Sequence, residues 1–223
     1  MASIVKATNR QTAVTENNLA SRQKIHREVE ECFESQPEGR QLYYERRSGQ
    51  YDTSAVAKPR IITFMQLTRA YAAMIFDNAA WFGHYKQILN EHRDRIFRES
   101  DGPFPYYTSA AALFCIDRMF TDKRIPRLYN SARFHLLAGV RLTLIGPRMP
   151  SGGRPLNDAC NTILDVMWDP VASEELVRSL LPPLIRAKGE TESTFGTVAR
   201  TKRFGEDYRR LLLEAGHSER KQR

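Results

Sequence analysis

The side chains best suited to contacting phosphates and bases are concentrated in residues 43–51, which read YYERRSGQY. Guanidinium groups bind phosphate oxygens, and tyrosine rings stack on nucleic-acid bases. The Ser48-Gly49 pair is typical of a turn. We therefore predict a β-hairpin whose candidate contacts to nucleic acid, or to an acidic protein, are Tyr43, Tyr44, Arg46 and Arg47. The same pattern is also typical of an ordinary hairpin with Tyr43 inward and the charged residues in solvent.

A second group of candidate contacts lies in a basic region over residues 118–154. The whole chain carries a net charge of +8, and this region holds eight lysines or arginines against one acid, Asp122. Such a region attracts anionic partners. The candidate phosphate contacts are Arg133 and Arg141 on the margins of a predicted helix, and Arg148 and Arg154 in an irregular loop. The alternative is that these arginines pair with acids of other helices or of an absent upstream segment.

Asn9, Gln11 and Glu45 form a third candidate group. Asn9 and Gln11 are two residues apart, so on a strand they would share one face. Together they could read an amide, a ribose or a base edge, with Glu45 nearby, in an enzyme site that an upstream segment completes. Turn chemistry at the end of a strand explains the same pair.

Motifs typical of enzymes are absent from the sequence. It contains no Gly-x-x-x-x-Gly-Lys, Gly-x-Gly-x-x-Gly or Gly-x-Ser-x-Gly segment. Asp165 and Asp169 could share a helix face, but the Trp168-Asp169-Pro170 sequence indicates a helix end. The three cysteines and five histidines do not have the spacing of zinc ligands. We therefore predict no catalytic residue, metal or cofactor in this chain.

The composition indicates a globular protein of the cytoplasm. Hydrophobic residues make up 41% of the chain and charged residues 27%. The sequence has no run of about 18 apolar residues and therefore no predicted membrane span. Cys32, Cys115 and Cys160 lie among apolar residues, as buried free thiols do, which favours a reducing compartment.

The hydrophobic pattern predicts a mainly α fold with a short strand and a β-hairpin near the amino terminus. Ile25, Val29 and Phe33 indicate a first helix that ends before residues 36–39. A short buried strand is predicted at residues 60–62, followed by a capping box of Thr63 and Gln66. Further helices are predicted over residues 85–96, 110–120, 132–145, 156–168, 173–181 and 204–214.

The predicted organisation has three parts. Residues 1–62 form a strand, a helix and the hairpin, which pack on a helical domain over residues 63–216. Residues 217–223 are polar and are predicted to fray. Residues 146–155 hold three prolines and three glycines and are predicted to be irregular.

Three segments in this order resemble a known protein family. They are residues 4–14, with ATN-x-Q-x-x-V; residues 43–51, with YYER-x-x-G-x-Y; and residues 60–76, with a threonine followed by L-x-x-A-Y. At these spacings they resemble the carboxy-terminal half of the abortive-infection phage-resistance (AIPR) family of bacterial proteins. Members of the family carry a longer upstream half with an NG-x-Q-T-like segment, which this chain lacks, so we expect a carboxy-terminal fragment.

The resemblance and the residues together favour one function and leave two alternatives. The favoured function is a non-catalytic carboxy-terminal domain of an antiphage protein that contacts DNA or RNA. One alternative is an interaction module that docks on the amino-terminal half or on another defence-system protein. The other is part of a composite enzyme site that includes Asn9, Gln11 and Glu45.

Overall fold

The computed structural model describes residues 24–76, 85–98 and 100–221. The predicted amino-terminal strand, with Asn9 and Gln11, lies outside these residues. The described chain is mainly helical with a small β element, which confirms the predicted fold class. Its helices and strands are α1 (Lys24–Glu34), β1 (Tyr43–Glu45), β2 (Ile61–Thr63), α2 (Phe64–Ile75), α3 (Tyr85–Glu91), α4 (Phe104–Thr121), α5 (Arg133–Leu144), α6 (Gly153–Trp168), α7 (Pro170–Ser179), α8 (Leu181–Lys188), α9 (Phe195–Val198) and α10 (Lys202–Lys221).

The two strands run parallel, so the predicted hairpin is wrong. Tyr44 of β1 lies opposite Ile62 of β2, and both side chains are buried. Turns and a 3₁₀ segment at Lys58–Arg60 fill the 15 residues between the strands, and they return the chain to the starting end of the sheet. The predicted turn does exist, since Gly49 has a φ of +76°. That turn reverses the chain locally without pairing its two flanks.

The capping box predicted at Thr63 is confirmed, and it fixes the start of α2. The Gln66 amide donates to the Thr63 hydroxyl at 3.3 Å, and the Thr63 amide donates to Gln66 Oε1 at 3.0 Å. Leu67, Tyr71 and Met74 are buried along one side of this helix. The capping box therefore links β2 directly to a helix that packs against the core.

Helix α4 is the centre of the fold, as its nearly uniform apolar composition predicts. It packs against α1, α2, α5 and α6. It begins at Phe104, earlier than predicted, because Pro103 and Pro105 occupy first-turn positions where a missing amide costs little. Thr108 and Ser109 precede the predicted start at residue 110 but lie inside the helix, and their hydroxyls donate to the carbonyl oxygens of Phe104 and Pro105.

Prolines also shift the boundaries of the carboxy-terminal helices. Asp169 caps α7 by accepting hydrogen bonds from the amides of Val171 and Ala172, both at 2.9 Å, so α7 begins at Pro170, before the predicted start at residue 173. The Pro182-Pro183 pair lies in the first turn of α8, directly after the predicted helix end at residue 181. The backbone of α10 continues to Lys221, into the segment predicted to fray.

Candidate anion-binding groove

Residues 43–51 form a folded corner that is held against α1. Arg46 Nε donates to Glu30 at 2.6 Å, and Gln50 also donates to Glu30. Glu45 accepts a hydrogen bond from the amide of Gly49 at 3.0 Å, which closes the turn. Glu45 and Arg46 therefore have structural partners, while Arg47 is exposed and Tyr43 is half-buried.

Tyr44 is a core residue. Its side chain is fully buried, packs against Phe33, and shares a hydrogen bond of 2.9 Å with Nδ1 of His26. Burial raises the pKa of the Tyr44 hydroxyl well above its usual range. Because the Tyr44 ring is enclosed, it is not part of a surface that could stack on a base.

Arg141 is also enclosed, although the sequence placed it on a helix margin. Its side chain is buried, and Nη1 donates to the carbonyl oxygen of Gly146 at 2.7 Å. Gly146 has a φ of +104° and follows the last turn of α5. The arginine therefore satisfies a carbonyl group just beyond a helix carboxyl end, where a positive charge is also favourable.

The other predicted arginines lie on different parts of the fold. Arg148 and Arg154 are exposed in and after the segment between α5 and α6, and Arg154 forms a long ion pair of 3.7 Å with Asp158. Arg133 lies at the start of α5 and lines a groove that neither of them lines. Of the eight predicted contact residues, Arg133 alone lines this groove, and Tyr44 and Arg141 are buried.

Three segments of the chain form this groove, which we call the basic groove. They are residues 57–62 with Gln66, the carboxy-terminal half of α4, and the 3₁₀ segment Arg127–Ala132 with Arg133. The groove has a volume of about 670 Å³, within the range of small-molecule sites. Its principal lining side chains are Lys58, Arg60, Ile62, Gln66, Phe114, Asp117, Arg118, Asp122, Arg127, Asn130 and Arg133.

Cations outnumber acids in the basic groove. Its charged lining residues are five bases, Lys58, Arg60, Arg118, Arg127 and Arg133, and two acids, Asp117 and Asp122. A concave surface with an excess of one charge concentrates the electrostatic potential and draws in ions of the opposite sign. The groove is therefore suited to an anionic ligand.

Arg60 is held rigidly at one wall. Nη1 donates to the carbonyl oxygen of Gln41 at 2.6 Å, and Nη2 donates to that of Gly39 at 3.1 Å. The guanidinium carbon also lies 5.6 Å from the centre of the Phe114 ring. These neutral partners fix the position of the guanidinium group and leave its positive charge uncompensated.

The remaining cations are weakly paired or free. Arg118 lies 3.5 Å from Asp122, and Arg133 lies 3.5 Å from Asp117. Both pairs are partly exposed to solvent, where an ion pair contributes little to stability. Lys58 and Arg127 are exposed and form no ion pair within the described part of the chain. An incoming phosphate could therefore contact at least these two without breaking an existing pair.

Asp117 is the less exposed of the two acids that line the groove, at 32% of its side-chain surface against 42% for Asp122. Burial raises the pKa of its carboxyl group above the usual value, and the Arg133 charge opposes that shift. The ion pair with Arg133 is formed by Oδ1, and 32% of the Asp117 side-chain surface remains exposed. The carboxylate can accept hydrogen bonds from a ligand.

Sequence reasoning found one groove residue, Arg133, and missed most of the others. Arg118 and Arg127 belong to the predicted basic region but were not selected. Lys58 and Arg60 lie about 60 residues before Arg118 in the sequence. They reach the groove because the segment that leads into β2 lies beside α4, where Arg60 packs against Phe114. The Lys58-Pro59-Arg60 sequence before a buried strand was the available signal.

The described residues contain neither a candidate metal-binding group nor a candidate membrane-spanning helix. They hold no group of three or more histidines, cysteines or acids that could bind a metal ion. None of the helices within them is both long and apolar enough to cross a membrane. The three cysteines are free thiols, and burial raises the pKa of Cys115 to about 12.

Comparison with known proteins gives one match. A protein-family model described as AIPR protein matches residues 1–130. The matched region includes the strand pair, helices α1 to α4 and most of the groove-lining residues. The search of curated proteins found no significant match, and neither did the search of solved structures.

Proposed function

The chain belongs to the AIPR family, and we propose that it acts in bacterial antiphage defence, by abortive infection, as a non-catalytic domain that contacts nucleic acid through the basic groove. The observation that carries the proposal is the convergence of five cations from three distant segments on one concave surface. Phosphate contacts dominate the affinity of proteins for nucleic acids, and lysine and arginine provide them.

The state of the individual side chains supports this proposal. Lys58 and Arg127 project into solvent without an ion pair in the described chain, so binding a phosphate costs no existing pair. Arg60 is already fixed by two carbonyl groups, so little of its conformational entropy is lost on binding. The groove thus combines a fixed cation with exposed ones, which suits a backbone whose phosphates repeat at regular intervals.

Docking of a protein is the second candidate function, and one observation favours it. Met65 and Leu128 are 41% and 57% exposed, and each adjoins a groove-lining residue in the sequence, Gln66 and Arg127 respectively. Exposed apolar side chains beside cations are typical of interfaces with acidic proteins. The partner would be the family's amino-terminal half or another defence-system protein.

Two matched pairs of substitutions test the proposed function. We expect Lys58→Ala/Arg127→Ala to weaken binding of a labelled single-stranded oligonucleotide about tenfold at 50 mM salt, because two phosphate contacts are lost. The control pair, Arg148→Ala/Arg154→Ala, removes the same number of exposed charges outside the groove, and we expect less than a twofold change. Fluorescence anisotropy measures both, and circular dichroism verifies the fold of each variant.

The two pairs also separate the candidate functions. Equal losses in both pairs would show that the groove has no special role and that net charge alone drives binding. If the wild-type chain binds no oligonucleotide at low salt, the nucleic-acid proposal fails. Met65→Ser/Leu128→Ser would then test the docking function, through its effect on co-purification with the amino-terminal half.

A further inference from the structure

The basic groove is a cleft with polar groups on its inner wall, which a phosphate-binding surface alone does not need. Phosphate contact requires cations at the rim. Asp117, however, is an acid that lines the same cleft, 3.5 Å from Arg133, and its carboxyl group is partly buried. A carboxylate repels phosphate, and the ion pair with Arg133 leaves part of the Asp117 side chain exposed, so this acid can meet the donor edge of a base.

We propose that the basic groove holds one unstacked guanine nucleotide unit, with its phosphate at Lys58 and Arg127 and its base between Arg60 and Asp117. The inference rests on the proposed function and specifies its ligand. It also covers a free guanine nucleotide, because the chemistry that the groove recognises is the same in both cases.

Shape supports a single nucleotide over a duplex. The groove encloses about 670 Å³ and is bounded by β2, α4 and the turn before α5. A cleft of this size takes a ligand of small-molecule dimensions, whereas a double helix is recognised by elements that project into its grooves. A base must therefore leave its stack in order to enter.

Arg60 provides the stacking surface. One face of its guanidinium group is covered by Phe114 at 5.6 Å, and two backbone carbonyls hold the group in place. Guanidinium planes stack on unpaired bases in single-stranded nucleic acids. An arginine that is already immobilised loses little entropy when a base stacks on it.

Asp117 selects the base. Guanine presents two adjacent donors on its Watson–Crick edge, N1–H and the N2 amino group, and a carboxylate can accept both. Uracil and thymine present one donor flanked by two carbonyl oxygens, which a carboxylate repels. Asn130 also lines the groove and can accept or donate at the edge of the base.

The test compares GMP, UMP and inorganic phosphate by isothermal titration calorimetry on the whole chain. We expect GMP to bind at least tenfold more tightly than UMP, and both more tightly than phosphate. Asp117→Asn should remove the preference for GMP over UMP, and circular dichroism verifies the fold of this variant. The matched control is Asp122→Asn, which alters an exposed acid paired with Arg118 and Arg124 and should keep the preference.

The outcomes distinguish this inference from the proposed function. Tight single-strand binding with equal affinities for GMP and UMP would overturn the inference and leave the function standing. Binding of GMP with no binding of any strand would overturn the nucleic-acid function and identify a free nucleotide as the ligand. Loss of the GMP preference in Asp122→Asn as well as in Asp117→Asn would also overturn the assignment, because the effect would then be one of charge.

Discussion

His26 shows how a single enclosed residue ties the strand pair to the helices. Its Nδ1 lies 2.9 Å from the Tyr44 hydroxyl, and its ring lies 4.4 Å from that of Phe97. Burial lowers the pKa of His26 to about 4, and the Arg46 charge lowers it in the same direction. The imidazole is therefore neutral at pH 7, and protonating it in the folded state is unfavourable.

This lowered pKa predicts how stability depends on pH. In the unfolded chain His26 takes up a proton near pH 6.5, but in the folded chain it does so only near pH 4. As the pH falls through this window the unfolded state binds more protons, so the free energy of unfolding decreases. We expect His26→Gln, which can still hydrogen-bond to Tyr44, to reduce the loss of stability between pH 7.5 and pH 5 by about 1–2 kcal/mol.

Urea denaturation of wild type and variant at the two pH values measures this difference. His135 is also buried, and its pKa is lowered to about 3, so the variant should retain part of the wild-type dependence. An identical loss of stability in both proteins would show that His26 is not responsible.

At the scale of elements, Gly139 sets how closely α5 approaches its neighbours. A methyl group at this position would lie 2.5 Å from the Tyr208 hydroxyl of α10 and 3.1 Å from the Leu180 side chain. The Tyr208 hydroxyl is buried and has no hydrogen-bond partner in the described part of the chain. The helices thus meet at a glycine, with an unsatisfied hydroxyl directly above it.

Substitutions at these two positions should be strongly coupled. Gly139→Ala should lower the free energy of unfolding by about 1–3 kcal/mol, because the contact is overpacked. Tyr208→Phe should be neutral or stabilising, since it removes an unsatisfied buried hydroxyl. The double variant should recover most of the loss, as a double-mutant cycle by chemical denaturation would show. Additive effects would contradict the close contact.

Local signals in the sequence were enough to predict many of the elements. The capping box at Thr63 and the apolar spacing of α1 depend on residues within one or two helical turns, so they can be read without the rest of the fold. The direction of β1 relative to β2 depends on how a 15-residue connection packs, which no local pattern specifies. The predicted helix boundaries near prolines are wrong because a proline that ends one helix can also lie in the first turn of the next.

At the scale of the whole molecule, the position of each basic residue in the fold decides whether the charge excess forms a binding surface. The distribution of charge along the sequence predicts a basic region but not which of its residues share a surface. Arg141 of that region is enclosed, whereas Arg133 lines the groove. Lys58 and Arg60 join Arg133 only through the packing of β2 beside α4. Most of the groove lies within the part of the chain that matches the family.

The most direct test of the account is the salt dependence of single-strand binding by the wild-type chain. Lys58, Arg118, Arg127 and Arg133 can each contact a phosphate, so we expect the logarithm of the binding constant to fall with the logarithm of salt concentration with a slope of about −2 to −3. Fluorescence anisotropy between about 50 and 300 mM salt measures this slope. Lys58→Ala/Arg127→Ala should reduce its magnitude by about 1.4. A slope that is unchanged in this variant, or no binding at the lowest salt concentration, would contradict a nucleic-acid role for the basic groove.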